Sequence, residues 1–464
     1  MTPPRIRRRR GVGAFGHRNY RLFFAGQAVS LVGTWMQQVA QAWLVLQISG
    51  GDPLWLGVVA AAQFLPVMVL GLFAGVLADS LPKRQMLIAV QVVMMLLALV
   101  LAVLTVSGVV EIWMVVVLAV LLGCANAVDM PVRQSFAIEM VGPRDVGNAV
   151  SLNSAMFNGA RVVGPAVAGL TIGAFGVAVA FALNAVSFLA VIVGLALMRD
   201  EELQRGRLVP RPRSARHVVD NLSEGLRFVR RTPVVLMAIS VVGLVATVGM
   251  NFNVLIPPLA QEVLKSDAAG FGFLMTASGL GSLAAAVVLV AGGKPRPIRI
   301  ALGGMLLGVA SIALAFSGSF AVSLVLMALI GSGGITMAAT ANATIQLSVP
   351  DGLRGRVMSV YTTVFAGSVP VGGLAVGALA SAVGIPLTIG VGGVLSLATG
   401  LAAFLWWRRI RGSVQISPEL ATEAVDARSP ASSGALQPGE LGAGQRPESQ
   451  SASFLESQPA ARVR

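Results

Sequence analysis

Charge is scarce in this sequence: Asp, Glu, Lys and Arg make up 12% of its 464 residues, about half the share of a soluble domain. There is one cysteine, with two histidines and two tyrosines. Cys124 lies alone in an apolar run, forms no internal disulfide, and reads as a small buried helix residue. His17 and His217 fall in polar segments far from it, so no Cys/His set for zinc or thiol chemistry assembles. No Gly-x-x-x-x-Gly-Lys-Ser/Thr loop occurs, which excludes a nucleotide-driven pump. No acid sits at the centre of a long apolar run. These absences exclude a soluble enzyme, a disulfide-rich secreted domain and a disordered chain. No metal or cofactor is expected. A multi-spanning membrane enzyme, the weaker alternative, lacks the acid–base cluster it would need.

What is present is hydrophobic: 55% of the residues, with 53 glycines and a mean hydropathy of +0.80. A bilayer core about 30 Å thick takes about 20 apolar residues per helix. Suitable runs fall at 20–48, 54–78, 84–107, 112–130, 148–174 and 177–198, then at 233–261, 270–292, 298–317, 320–347, 358–382 and 385–407. This predicts an all-α integral membrane protein with about twelve transmembrane helices. The first run is too long for a signal-peptide core, and helices follow it at once. The expected organisation is a basic segment 1–19, a six-helix bundle 20–198, a linker 199–232, a second six-helix bundle 233–408 and a tail 409–464. Val218, Val219, Leu222, Leu226 and Val229 share one helical face in the linker, predicting an amphipathic helix along the inner membrane surface. The tail, rich in Ser, Ala, Gln, Pro and Glu, reads as disordered.

The net charge of +14 raises the question of a nucleic-acid partner. Its distribution answers it. All the lysines and arginines except Lys265 and Arg161 lie in the two terminal segments or in every second connection. That alternation is the mark of cytoplasmic loops, so both termini are expected in the cytoplasm and no nucleic acid is implied.

The halves look duplicated. A shift of 208 overlays Val141, Gly147, Ser151, Phe157, Gly159, Gly164 and Gly169 on Val349, Gly355, Ser359, Phe365, Gly367, Gly372 and Gly377. A shift of 215 overlays Asp52 and Gly57 on Asp267 and Gly272. Glycines repeated on one helix let backbones approach closely.

The connection after the second run reads Gly75-Val-Leu-Ala-Asp79-Ser-Leu-Pro82-Lys83-Arg84. A sharp turn with an acid and two bases can latch neighbouring helix ends in one conformer; it can also simply mark the inside face. Gly75, Asp79, Lys83 and Arg84 resemble the loop signature of the major facilitator superfamily, with Pro82 for its usual glycine. Gly159, Gly164, Pro165 and Gly169 are similar to the antiporter signature of that superfamily's drug exporters, with Ala168 replacing one glycine. Asn126-Ala-Val-Asp129-Met-Pro131-Val-Arg133, Glu139-Met-Val-Gly and Leu353-Arg-Gly-Arg-Val-Met-Ser359 resemble the branch of enterobactin exporters and macrolide-efflux proteins, the transmembrane secretion effectors. The resemblance covers residues 15–410. It implies two pseudo-symmetric six-helix bundles in the plasma membrane, exporting a small amphipathic molecule (a siderophore, macrolide or drug-like compound) in exchange for protons. A monomer is expected, with the lipid bilayer, the substrate and protons as partners. An importer of a small metabolite is the alternative on the same fold. Family exporters often carry a proton-transfer arginine four residues before a glycine of the fourth span; beside Gly123 that position is Ala119, so coupling must lie elsewhere.

Arg161 stands out, about 20 Å into its run at 1.5 Å per residue. A charge there is costly and functional unless it is bonded internally, to helix carbonyls or to Asp129. Asp129 and Glu139 are the candidates for proton exchange, although Asp129 with Arg133 reads more simply as an inner latch. In the superfamily the first, fourth, seventh and tenth spans line the cavity. On these, Gln37, Gln41, Asn126, Asn251 and Thr340 are candidates to contact substrate alongside Arg161, with interhelical hydrogen bonding as their plainer role.

Overall fold

The computed structural model describes residues 13–204, 215–293 and 295–410, without the side chains of 72–80, 215–222 and 410. Gly75 and Asp79, and the tail from 411, therefore lie outside what is described below. The chain is helical throughout the described residues: α1 (Arg18–Ile48), α2 (Pro53–Ser80), α3 (Lys83–Val106), α4 (Ile112–Phe175), α5 (Val177–Ala196), α6 (Ala215–Arg231), α7 (Pro233–Gly249), α8 (Phe252–Pro258), α9 (Ala268–Ala291), α10 (Ile298–Ala315), α11 (Phe320–Ser348), α12 (Asp351–Val383) and α13 (Ile385–Ile410). Ten stretches among the described residues are long and apolar enough to cross a membrane. α4 alone has 64 residues, enough to cross twice at 1.5 Å per residue.

The burial pattern is that of a helix bundle in lipid. On α3, Leu87, Gln91, Met94, Ala98 and Leu101 are buried, while Val93, Leu96, Val100 and Val103 stand exposed on the opposite stripe. A soluble helix turns polar residues outward. Here the outward stripe is apolar and the buried one carries the amide, as a hydrocarbon solvent requires.

Two elements differ from expectation. The polar stretch between the fourth and fifth runs is helical, and α4 continues through it with a single break at Gly142 (φ 72°, ψ 173°). Only glycine adopts that backbone readily, and Pro143 directly after it suits a new first turn. The seventh run is broken too: α7 stops at Gly249, α8 starts at Phe252, and a π-helical turn spans Leu259–Val263. Asn251 heals the gap, its amide donating to the Thr247 and Ala246 carbonyls at 2.6 and 3.4 Å.

The repeat is visible as matched contacts. Asp52 caps α2 by accepting the Leu54 N–H at 2.9 Å, and Asp267 caps α9 by accepting the Gly270 N–H at 3.0 Å. A Cβ on Gly57 would stand 2.3 Å from the Gly373 carbonyl, and one on Gly272 would stand 2.5 Å from the Pro165 carbonyl. These pairs exchange under the two shifts read from the sequence. Two seams thus join the halves, α2 to α12 and α4 to α9.

The amphipathic helix α6 does not simply lie along a surface. Gly225 abuts the Arg356 carbonyl of α12, Val229 is 1% exposed, and Glu224 pairs with Arg356 at 2.5 Å. One apolar edge is used on protein, and Leu226 is left 40% exposed.

Candidate functional site

Both seams lie toward the end of the molecule away from the basic connections. There Asp52 meets Ser381, Trp43 stacks on Phe271 at 6.2 Å, and Gly169 lies against the Ala269 backbone. The α4–α9 seam runs down to Arg161 and Val162: the Arg161 carbonyl lies 3.3 Å from a Cβ on Gly279, and Thr276 donates to the Val162 carbonyl at 3.4 Å. Below that level, toward the basic end, a Cβ on Gly159, Gly147, Gly355 or Gly352 would find nothing within 4 Å. Ser151 and Ser359 are exposed there, and Phe157 is 47% exposed. Within residues 13–410 the two halves close on each other at one end and leave an uncovered cleft between α4 and α12 toward the basic end.

Arg161 sits at the apex of this cleft. Its Cζ lies 5.9 Å from the centroid of the Trp35 ring on α1. Trp35 makes an edge contact with Phe157 at 5.6 Å. Gly164, one turn further along α4, allows this arrangement, because a Cβ there would meet Trp35 Cβ at 2.4 Å. A guanidinium over an indole face gains about 0.5–2 kcal/mol depending on desolvation, far less than a carboxylate partner would provide. Among the described residues Arg161 has no hydrogen bond and no ion pair. The internal bond to Asp129 does not form, because Asp129, 1% exposed, pairs with Arg133 and accepts from Gln91 at 3.0 Å.

The other sequence candidates divide. Asn126, like Arg161, is partly exposed. Gln37, Gln41, Asn251 and Thr340 are each less than a tenth exposed. The Gln37 carbonyl accepts from Asn184 of α5, and Asn251 serves the break in the seventh span. Glu139 accepts from Lys83 at 2.7 Å, tying α3 to α4. Arg84 donates to the Leu195 and Ala196 carbonyls at the end of α5 and pairs with Asp200 at 2.7 Å. Such cations on terminal carbonyls complement the helix dipole. These charge contacts all lie within the first half, so no latch between the halves is formed by them in this conformer. Gly164 packs on α1, Pro165 and Gly169 pack on α9, and a Cβ on Gly159 would meet nothing.

Sequence reasoning missed Trp35, Phe157 and Gln91. Trp35 lies two residues from Gln37 in a run where an aromatic reads as core, and only the glycine one turn from Arg161 hinted at a large neighbour. A separate cavity of about 550 Å³ opens at the sealed end between α1, α4, α5 and α9, lined by Trp43, Gln47, Phe175 and Asp267. It contains none of the candidates. Among the described residues no group of three His, Cys, Asp or Glu side chains is arranged to hold a metal.

Comparison with known proteins agrees with this architecture. The family model for transmembrane secretion effectors matches residues 11–428. The staphyloferrin A transporter of Staphylococcus aureus is 25% identical over 84% of this chain and 96% of its own length. The multidrug efflux pump Tap of Mycolicibacterium fortuitum is 31% identical over 75% of this chain and 86% of its own. Among solved structures, a bacterial homologue of the human lysosomal transporter Spinster, inward-facing and unoccupied, superimposes with a TM-score of 0.66 at 12% identity, covering 84% of this chain and 97% of the other. A peptide transporter gives 0.68 at 14% identity over 84% and 94%. These two share the fold alone. The chain is a multi-pass membrane transporter, a member of the transmembrane secretion effector family within the major facilitator superfamily.

Proposed function

We propose that this protein is a secondary active exporter of small amphipathic organic molecules, working by alternating access and driven by proton exchange. The observation that carries this reading is the one-sided closure: both seams are joined at one end, and the repeat-related Gly147 and Gly355 at the other face open space. In a duplicated transporter, rocking of the two halves about a central site exchanges such a state for its mirror. Residues 20–198 and 233–408 are the rocking bodies, and the linker with α6 connects them. Both termini lie in the cytoplasm by the charge alternation, so the cleft described here faces inward. Substrate enters there, meets Arg161 and Asn126, and leaves once the seams part. The molecule acts as a monomer in the plasma membrane. The name of the efflux-pump relative, and the antiporter-like glycine pattern, favour export over import.

Arg161→Ala is expected to abolish transport in inside-out vesicles while leaving insertion and melting close to wild type; normal transport would remove Arg161 from the mechanism. Collapsing the proton gradient is expected to stop export. Export that persists without the gradient would exclude proton coupling.

A further inference from the structure

Among the described residues, the charge at the apex of the cleft is a single guanidinium. Arg161 stands at the apex, partly exposed, with the Trp35 ring as its neighbour and no carboxylate among the described residues within reach. The acids nearest in sequence on α4 are engaged elsewhere: Asp129 by Arg133 and Gln91, Glu139 by Lys83, and Asp145 by His17 at 3.0 Å. On α12, Asp351 pairs with Arg354 at 2.6 Å, at the helix start. The repeat puts Val369 where Arg161 stands in the first half, so the matching position of the second half carries no charge. A lone guanidinium in a low-dielectric cleft is costly until an anion reaches it, and it repels a cation there more strongly than water would allow. Its planar fork matches a carboxylate or phosphate in two parallel hydrogen bonds. Trp35 and Phe157 beside it supply an apolar, aromatic wall.

We propose that the substrates are amphipathic acids: the anionic group docks on Arg161 and an adjoining apolar or aromatic body lies against Trp35 and Phe157. The proposal leaves Gln37 and Asn251 aside, because both are engaged by the protein itself. It rests on the cleft being the substrate site, as argued above.

The test is binding, measured by equilibrium dialysis on the full chain in nanodiscs against empty nanodiscs. Three probes share one ring system: 1-naphthoate, 1-naphthamide and 1-naphthylmethylammonium. Naphthoate is expected to bind about tenfold more tightly than the amide, the worth of one charge-assisted contact, and the ammonium more weakly still. Arg161→Gln is expected to erase the preference for the acid. Arg161→Lys is expected to keep it at reduced affinity, since an ammonium lacks the fork. If Arg161→Gln proves misfolded by its melting curve, the wild-type order of the three probes decides alone. Equal or tighter binding of the ammonium, a preference that survives in folded Arg161→Gln, or no binding of any probe would overturn the proposal. Binding needs no gradient, so an acid preference found in a protein that transports nothing would sink the export reading and leave this one standing.

Discussion

Arg161 and Asp129 show how differently two charges on one long helix are handled. Asp129 is enclosed, with an arginine one turn along its own helix and an amide from α3; Arg161 is left to an aromatic face. A buried pair that loses one member leaves the other uncompensated, at a cost of about 3–5 kcal/mol when both are fully enclosed. Arg133 keeps access to solvent, so the expected loss for Asp129→Asn is smaller, about 1–3 kcal/mol, read as a lower melting temperature in detergent. The same variant is expected to retain gradient-driven transport. If it loses coupling yet keeps counterflow, Asp129 is a proton carrier after all. Whether a polar residue faces substrate or a neighbouring helix was not legible in the sequence. Gln37 and Gln41 have the spacing of a cavity stripe, but the partner that occupies Gln37, Asn184, lies on another helix with nothing in its own run to announce it.

At the scale of elements, helix count, alternating charge and repeat could be read directly, because each depends on composition over some twenty residues or on a fixed shift. The breaks could not. Gly142 and Gly249 look like any of the 53 glycines, and only the backbone reveals that one has φ 72° and the other ends a helix. Asn251 belongs to that second break. Asn251→Ala leaves the part-buried Thr247 carbonyl without its 2.6 Å partner, and is expected to lower stability by about 1–3 kcal/mol, seen as earlier thermal aggregation. An unchanged melting temperature would mean that another donor reaches that carbonyl. The seams make a sharper expectation. A side chain on Gly57 has to displace the Gly373 backbone, so Gly57→Val is expected to disfavour the closed seam and shift the population toward the conformer open at that end. Labelling of a cysteine introduced at Ser381, in a Cys124→Ser background, is expected to quicken in Gly57→Val. A rate equal to that of the unmodified seam would mean that α2 and α12 stay together.

Over the whole molecule, the positive net charge that first suggested a nucleic-acid partner falls in the termini and alternate connections, and the closed seams lie at the opposite end from those connections. Two features therefore define one conformer: matched glycine contacts made at one end, and the repeat-related Gly147 and Gly355 unmet at the other. If the halves rock as rigid bodies, the two ends must move in opposite senses. The most direct measurement is the distance between spin labels on Ser151→Cys and Ser359→Cys, repeat-related exposed positions on the open arms, with and without Gly57→Val, in the Cys124→Ser background. Forcing the far seam apart is expected to shorten this distance by several ångströms. A distance that stays fixed or lengthens would contradict alternating access by these two halves.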